Sequence, residues 1–159
     1  MSIVYTHTSI NTPDWRRLSA FYEKVFGMKL VPPLRDLNGE WYHRVTGMGD
    51  ARVTGCHMLL PGYGESGPTI EFFTWDHPDG TPSTAINGGG MGHLAFAVED
   101  VESVVGQVLA EGGSTYGEIV RSYYPTKGQT LTICYAKDPD GNCIEIQRWD
   151  DGDLTEGIA

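Results

Sequence analysis

The feature of the chain that most constrains its fold is an internal repeat. Three residue types recur at one constant spacing: His7, Asp14 and Gly27 in the first half of the sequence, and His93, Asp100 and Gly113 in the second. In each half the histidine opens a segment in which apolar and polar residues alternate, a pattern typical of a strand with one buried face. The histidine lies on the face opposite the large apolar residues in both segments, beside Ser9 in the first and beside the small residue Ala95 in the second. The repeat therefore predicts two copies of one structural unit.

The first copy is expected to fold in the order strand, helix and three further strands. Its first strand spans residues 5–11. Its helix has apolar residues spaced along one face, with Thr12 as the N-cap, Pro13 at the first helical position and Gly27 at the end. Three strands follow, at 28–31, 51–60 and 69–75.

Two segments of the first copy are harder to interpret from their pattern. Residues 32–39 contain Pro-Pro and Asn-Gly and are predicted to form a loop. Residues 40–45 are interpreted as a further strand carrying His43. His43 and His57 each lie on a predicted strand. One interpretation places them at the cup, behind the metal ligands or against the substrate; the favoured one is that they are surface or packing histidines.

The second copy repeats this order, with a first strand at 91–98 and a helix that Gly112 closes. Its later strands are predicted near 114–119, 130–136 and 142–149. The fold class is therefore α+β. We expect two tandem βαβββ modules in one structural domain: residues 1–75, a Pro/Gly-rich linker at 76–90, residues 91–149, and an acidic tail at 150–159.

Composition excludes several functions. Eleven Lys and Arg residues stand against 21 Asp and Glu, a net charge of −10, so neither nucleic acid nor an anionic membrane surface is an expected partner. The sequence shows neither a secretion signal nor an apolar run of the ~20 residues that a membrane span needs. Three cysteines without metal-type spacing argue against a disulfide framework and favour a reducing, cytoplasmic location.

Two glutamates share the faces that carry the histidines. Apolar neighbours flank Glu71 and Glu145 in their strands, so both side chains point away from the apolar faces. If the helices cover the apolar faces, the two glutamates and two histidines project into one cup. Core histidines and the polar faces of edge strands are the simpler alternatives. Two imidazoles and two carboxylates suit a divalent ion, because the carboxylates neutralise it and histidine binds Zn, Ni, Co or Fe.

The sequence resembles the vicinal oxygen chelate superfamily, also called the glyoxalase/bleomycin resistance/dioxygenase superfamily. Four segments carry the resemblance: the strand and helix around His7 with Phe26-Gly27-Met28, the strand 92–98, the turn and strand 138–145, and 69–72, which is similar to the glyoxalase I pattern. The resemblance implies a cup-shaped, partly closed mixed β-sheet barrel with the helices outside. It also implies one divalent metal ion (Ni, Co, Zn, Mn or Fe) bound by His7, Glu71, His93 and Glu145.

Three positions depart from the glyoxalase I pattern. Asn11 and Gly89 stand where that pattern has arginines, and Trp75 stands where it has an asparagine. Because those positions hold glutathione in glyoxalase I, a glutathione hemithioacetal is not the expected substrate. Phe73 and Trp75 instead suggest an aromatic-lined pocket. Its expected polar contacts are Ser9, Asn11 and Gln147.

The predicted function is that of a metal-dependent lyase or isomerase acting on a small carbonyl substrate. We also expect the protein to form a homodimer. The metal would stabilise the enolate formed when Glu71 or Glu145 removes a proton. One alternative is an Fe(II) ring-cleaving or other dioxygenase. Another is a metal-free protein that binds a drug or small molecule, as bleomycin-resistance members do.

Overall fold

The computed structural model describes residues 3–78, 80, 85–87 and 89–155. The chain divides into two compact units, Met1–Thr81 and Pro82–Ala159, and the division falls within the predicted linker. Positions 79, 81–84 and 88 of that linker, and 156–159 of the predicted tail, lie outside the described residues.

The first unit is a four-stranded mixed sheet with two helices. Its elements are β1 (His7–Asn11), α1 (Trp15–Phe26), β2 (Lys29–Leu37), α2 (Glu40–Thr46), β3 (Val53–Leu59) and β4 (Thr69–Trp75). The strand order is β1-β4-β3-β2. β1 pairs with β4 in parallel, and the other neighbours are antiparallel. The first and last strands of the unit are therefore adjacent.

Helix α1 packs its apolar stripe on β3 and β4. Its N-cap is Asp14, whose carboxylate accepts hydrogen bonds from the amides of Arg16 and Arg17, so the prediction of Thr12 as the N-cap and Pro13 as the first helical residue is wrong. The Thr12 hydroxyl instead accepts from the Asp14 amide. The predicted end at Gly27 is confirmed, since this residue adopts the left-handed conformation.

The interpretation of residues 32–39 as a loop is wrong, because β2 runs through both prolines to Leu37. Its register with β3 shifts between Val31 and Arg35. Proline lacks the N–H that a sheet ladder needs and is confined to edge strands and bulges. β2 is an edge strand, and therefore it accommodates the two prolines.

The interpretation of residues 40–45 as a strand is also wrong. They form helix α2, which Gly47 closes in the left-handed conformation. Tyr42 is the buried residue of this helix and packs in a cluster with Val53 and Phe73. Because this short helix has a single buried residue, its sequence lacks the regularly spaced apolar residues of an amphipathic helix. The pattern of the segment therefore resembles that of an alternating strand.

The second unit is a five-stranded mixed sheet with one helix. Its elements are β5 (Leu94–Ala97), α3 (Val101–Ala110), β6 (Ser114–Thr115), β7 (Val120–Tyr124), β8 (Gln129–Lys137) and β9 (Cys143–Asp151). The main order is β5-β9-β8-β6, with β7 also paired to β8. The strand predicted at 114–119 is reduced to two residues, β7 was not predicted, and β9 continues two residues past the predicted end of the module.

The repeat is visible in the local structure. α3 is capped by Asp100, whose carboxylate accepts from the Ser103 amide, as Asp14 caps α1. β5 pairs with β9 in parallel, as β1 pairs with β4. α3 packs on β8 and β9 with Val101, Val105 and Val108 buried. The predicted α+β class, with mixed sheets each covered by a helix on the apolar face, is confirmed.

All three cysteines are free and buried. None of the helices in the described part of the chain is both long enough and apolar enough to cross a bilayer.

Candidate metal centre

Strand pairing places two histidines around one glutamate in the first unit. In the parallel pairing of β1 with β4, Ser9 lies opposite Glu71, and His7 lies two residues earlier on the same face. In the antiparallel pairing of β3 with β4, His57 lies directly opposite Glu71. Facing side chains of paired strands project to the same side of a sheet. Glu71 therefore has one imidazole on each side.

Each oxygen of the Glu71 carboxylate faces a different imidazole. His7 Nε2 lies 3.4 Å from Oε2, and His57 Nε2 lies 2.8 Å from Oε1. The side chains of Glu71 and His57 are only 12% and 16% exposed, whereas that of His7 is 43% exposed. The group is thus enclosed on the β3 side and open to solvent on the β1 side.

The far side of each imidazole is held by a threonine. His57 Nδ1 lies 3.2 Å from Thr69 Oγ1, and His7 Nδ1 lies 3.3 Å from Thr6 Oγ1. Both rings therefore present Nε2 to Glu71. Histidines that bind metals are typically oriented in this way, by a hydrogen bond at the nitrogen that does not bind the ion.

Burial lowers the pKa of His57 below its ordinary value. The negative charge of Glu71 opposes this effect, and the charges of Arg35 and His7 reinforce it. The imidazole is therefore uncharged at neutral pH, which is the form that binds a metal. The ligand atoms of His7, His57 and Glu71 lie within 4.8 Å of one another. This group can hold a metal ion.

The second unit contains the corresponding pair. His93 Nε2 lies 3.3 Å from Glu145 Oε2. Glu145 lies opposite Ala95 of β5 on one side and Tyr135 of β8 on the other. The hydrogen bond to Glu145, followed by burial, raises the pKa of Tyr135. A phenol thus occupies the position that corresponds to His57.

Within each unit the structure brings together the histidine and the glutamate that were predicted as ligands. His7 lies beside Glu71 in the first unit, and His93 lies beside Glu145 in the second. Binding of a single ion by all four residues stays a prediction.

The residues predicted to contact substrate are partly engaged with each other and with the core. The Asn11 Oδ1 accepts a hydrogen bond of 2.8 Å from Trp75 Nε1. Phe73 is buried in the cluster that contains Tyr42, and Trp75 stacks on Tyr42 with 5.9 Å between ring centroids. The Gln147 Oε1 accepts from Trp149 Nε1. The role of these residues and Ser9 in substrate contact stays a prediction.

His57 is the residue of this group that the sequence interpretation did not include among the metal ligands, although one interpretation placed it at the cup. Its neighbours Cys56 and Met58 are both buried on the helix-covered side of β3. The same alternation that assigned Glu71 to the opposite face therefore also applied to His57. His43, in contrast, lies on α2 and lines a polar cavity of about 670 Å³ with Asp50 and Arg52.

The fold and the site define a class: duplicated α+β proteins with a histidine–glutamate pair in each unit. Residues 5–146 match the sequence profile of the Glyoxalase/Bleomycin resistance protein/Dioxygenase superfamily, and the chain belongs to this superfamily. The resemblance found in the sequence is therefore confirmed.

Two named relatives show how far the likeness extends. The chain is 32% identical over 143 residues to a lactoylglutathione lyase from Arabidopsis thaliana, covering 89% of this chain but only 43% of that protein. It is 30% identical over 141 residues to a probable lactoylglutathione lyase from Synechocystis, covering 88% of this chain and 91% of that one. The chain thus spans less than half of the plant relative and nearly all of the cyanobacterial one.

A solved structure supports the fold independently. A glyoxalase family protein from Bacillus cereus superposes on this chain with a TM-score of 0.78 at 23% identity, covering 94% of this chain and 96% of that one. At this identity the likeness establishes the fold alone.

Proposed function

We propose that this protein is a divalent-metal-dependent lyase or isomerase of the glyoxalase type. The observation that supports it most directly is the histidine–glutamate pair in each unit, with nitrogen–oxygen distances of 3.4 Å for His7 and Glu71 and 3.3 Å for His93 and Glu145. Relatives named lactoylglutathione lyase and the superfamily match support the same reaction class.

The proposed ligands are His7, Glu71, His93 and Glu145. Their donor types fit Ni, Co, Zn, Mn or Fe, because two carboxylates neutralise a divalent ion and imidazole nitrogens bind these metals well. When bound, the ion supplies Lewis-acid stabilisation of negative charge developing on a substrate oxygen. Each histidine–glutamate pair belongs to one unit. The two units that share an ion are proposed to come either from one chain or from the two copies of a homodimer, and we propose that the protein is a homodimer.

The protein's own contribution to the reaction is a carboxylate base. Glu71 or Glu145 takes the proton from the hydroxyl-bearing carbon beside the substrate carbonyl and returns it to the carbonyl carbon. The hydroxyl proton passes to the former carbonyl oxygen, so that the two carbons exchange oxidation levels and the substrate is isomerised without a co-reactant. A base must come within about 3 Å of that proton. Both glutamates are largely shielded from water, which favours transfer to substrate over exchange with solvent.

The substrate is proposed to be a small carbonyl compound that is not carried on glutathione. Glutathione bears carboxylates, and arginines bind carboxylates in two-pronged hydrogen bonds. This chain has Asn11 and Gly89 where glyoxalase I has arginines. The Asn11 carbonyl oxygen is also occupied by the Trp75 indole, which further reduces its capacity to hold a polar carrier.

The test measures metal content and substrate choice in the same preparation. We expect about one divalent ion per chain, and faster turnover of the methylglyoxal hemithioacetal formed with a small neutral thiol than of the one formed with glutathione. Preference for the glutathione compound would overturn the substrate proposal. Persistent absence of metal after reconstitution would overturn the metal-dependent reaction. Analytical ultracentrifugation tests the dimer.

A dioxygenase is the second candidate, and one observation favours it. His7, His57 and Glu71 form a set of two histidines and one carboxylate, which is the ligand type of non-haem Fe(II) oxygenases. Oxygen consumption by the Fe(II)-loaded protein with a catechol tests this candidate. Full activity on the hemithioacetal without oxygen, and no oxygen uptake with the catechol, would exclude it.

A further inference from the structure

The two units differ in the residue that faces the glutamate from the antiparallel strand. In the first unit the partner of Glu71 is His57 of β3, and in the second unit the partner of Glu145 is Tyr135 of β8. A neutral imidazole is a metal ligand of high affinity, whereas a phenol is bound far less often. The first unit therefore has three ligand-type side chains in contact, where the second has two.

The position of His57 suits it to bind the same ion as His7 and Glu71. Its Nε2 lies beside Oε1 of the carboxylate, and that of His7 lies beside Oε2, so each carboxylate oxygen has an imidazole nitrogen next to it. Zn–N and Zn–O bonds are about 2.0–2.2 Å long, and the donors lie within 4.8 Å of one another.

The surroundings of His57 also favour ligation. The Thr69 hydroxyl holds its Nδ1, as the Thr6 hydroxyl holds that of His7. Because both rings share this arrangement, His57 has the orientation expected of a metal ligand to the same degree as His7 does. Its position on the enclosed β3 side fixes it more firmly than the exposed His7.

We propose that His57 is a metal ligand, and that His7, His57 and Glu71 hold a divalent ion within the first unit alone. His93 and Glu145 then strengthen binding without being required for it. The inference rests on the proposed function only for the presence of a metal site, and it concerns binding rather than turnover.

Cobalt titration of the metal-free full-length protein tests the ligand set. We expect the His93→Ala/Glu145→Ala double variant to bind one Co(II) per chain, with Kd raised by at least about 100-fold, because loss of a mere outer-shell partner already costs about 10- to 100-fold. Adding His57→Phe to that variant is expected to abolish binding. His57→Phe alone should weaken Co(II) binding and change the visible absorption spectrum, because one nitrogen ligand is lost.

Three outcomes would overturn the proposal. The first is loss of all Co(II) binding in the double variant, which would make the first unit insufficient. The second is a His57→Phe protein with unchanged Kd. The third is weaker binding with an unchanged Co(II) spectrum, which would make His57 a positioning residue for Glu71.

Two controls keep the result interpretable. His57→Gln and His57→Tyr guard against a folding defect of the phenylalanine variant, and both should weaken Co(II) binding as His57→Phe does. The circular dichroism spectrum of each variant must match that of the parent protein. His43→Gln removes a histidine of the same unit outside the group and should leave Kd unchanged. A protein that binds Co(II) as expected but turns over no hemithioacetal would defeat the proposed function and leave this ligand set standing.

Discussion

The two units share a scaffold but differ in what covers the glutamate-bearing face of the sheet. In the first unit α2 packs Tyr42 over Val53 and Phe73 on the face that carries Glu71. In the described part of the second unit no helix corresponds to α2. β7 pairs with β8, as β2 pairs with β3, and its end residue Tyr124 contacts Trp149 and Lys127 at the surface. The first unit therefore buries part of its site-bearing face in a second small core.

The comparison shows which parts of the site the two units share and which part differs between them. The parallel pairing of the first and last strands places a histidine, at the start of β1 or just before β5, beside one glutamate in both units. The antiparallel neighbour supplies a third side chain that the pairing does not specify, and it is His57 in one unit and Tyr135 in the other. Functional asymmetry can therefore arise from a single substitution on that strand.

The largest expected effect concerns the two glutamates themselves. We expect Glu71→Gln and Glu145→Gln each to reduce kcat/KM for the hemithioacetal by at least about 100-fold, because each change removes a carboxylate that serves as ligand or base. Steady-state kinetics of the metal-reconstituted variants measure this. Glu65→Gln, in the exposed loop between β3 and β4, is the control and should match the parent. Near-normal activity of either site variant would show that its glutamate serves as neither ligand nor base.

The second effect concerns the two aromatic contacts that distinguish the units. Tyr42→Ala removes a buried ring from the α2 cluster and should lower the free energy of unfolding by about 3 kcal/mol. Tyr124→Ala removes a partly exposed ring whose edge contacts Trp149, and should cost about 1 kcal/mol. Urea denaturation followed by circular dichroism measures both. Equal costs would mean that α2 adds no second core to the first unit.

The repeat could be predicted from sequence because its signals are local. Alternation assigned His7 and Glu71 to the faces opposite the apolar residues, and Gly27 marked the end of α1, although its N-cap is Asp14 rather than the predicted Thr12. The approach of His57 to Glu71 could not be predicted in the same way. That approach depends on the register between β3 and β4, because a shift of one residue would turn His57 to the other face of the sheet. The long loop between the two strands does not reveal this register. α2 was missed because its single buried residue produces no periodic stripe.

A third, smaller effect compares the helix caps that the units share. Asp14 accepts hydrogen bonds from two backbone amides, whereas Asp100 accepts one, of 2.8 Å from Ser103. Replacing an N-cap aspartate by alanine costs about 0.5–2 kcal/mol. We therefore expect Asp14→Ala to destabilise the protein by about 1.5 kcal/mol and Asp100→Ala by about 1 kcal/mol, measured by urea denaturation. A larger loss of stability in Asp100→Ala than in Asp14→Ala would contradict the expectation that the number of N-cap hydrogen bonds determines the effect.

The smallest effect tests an ion pair that joins β2 to the residue before β3 in the first unit. Two hydrogen bonds of 3.0 Å from Arg52 to Asp36, followed by one from Asn38, hold the pKa of Asp36 below its ordinary value. Because this pKa is lower in the folded state, the stabilisation is present above the ordinary value of 3.8 and disappears as the pH falls through the folded value. The pair is exposed, so its effect on overall stability is small.

Carboxyl-carbon NMR titration of Asp36 measures this shift directly. Arg52→Gln should return the pKa of Asp36 most of the way to its ordinary value, and Asn38→Ala should return it by less, because the arginine contributes the larger effect. An ordinary pKa in the parent protein would show that the β2–β3 edge is not held by this pair. The pairing of β2 with β3 through its register shift would then depend on backbone hydrogen bonds and on packing of Leu37 against the α2 cluster.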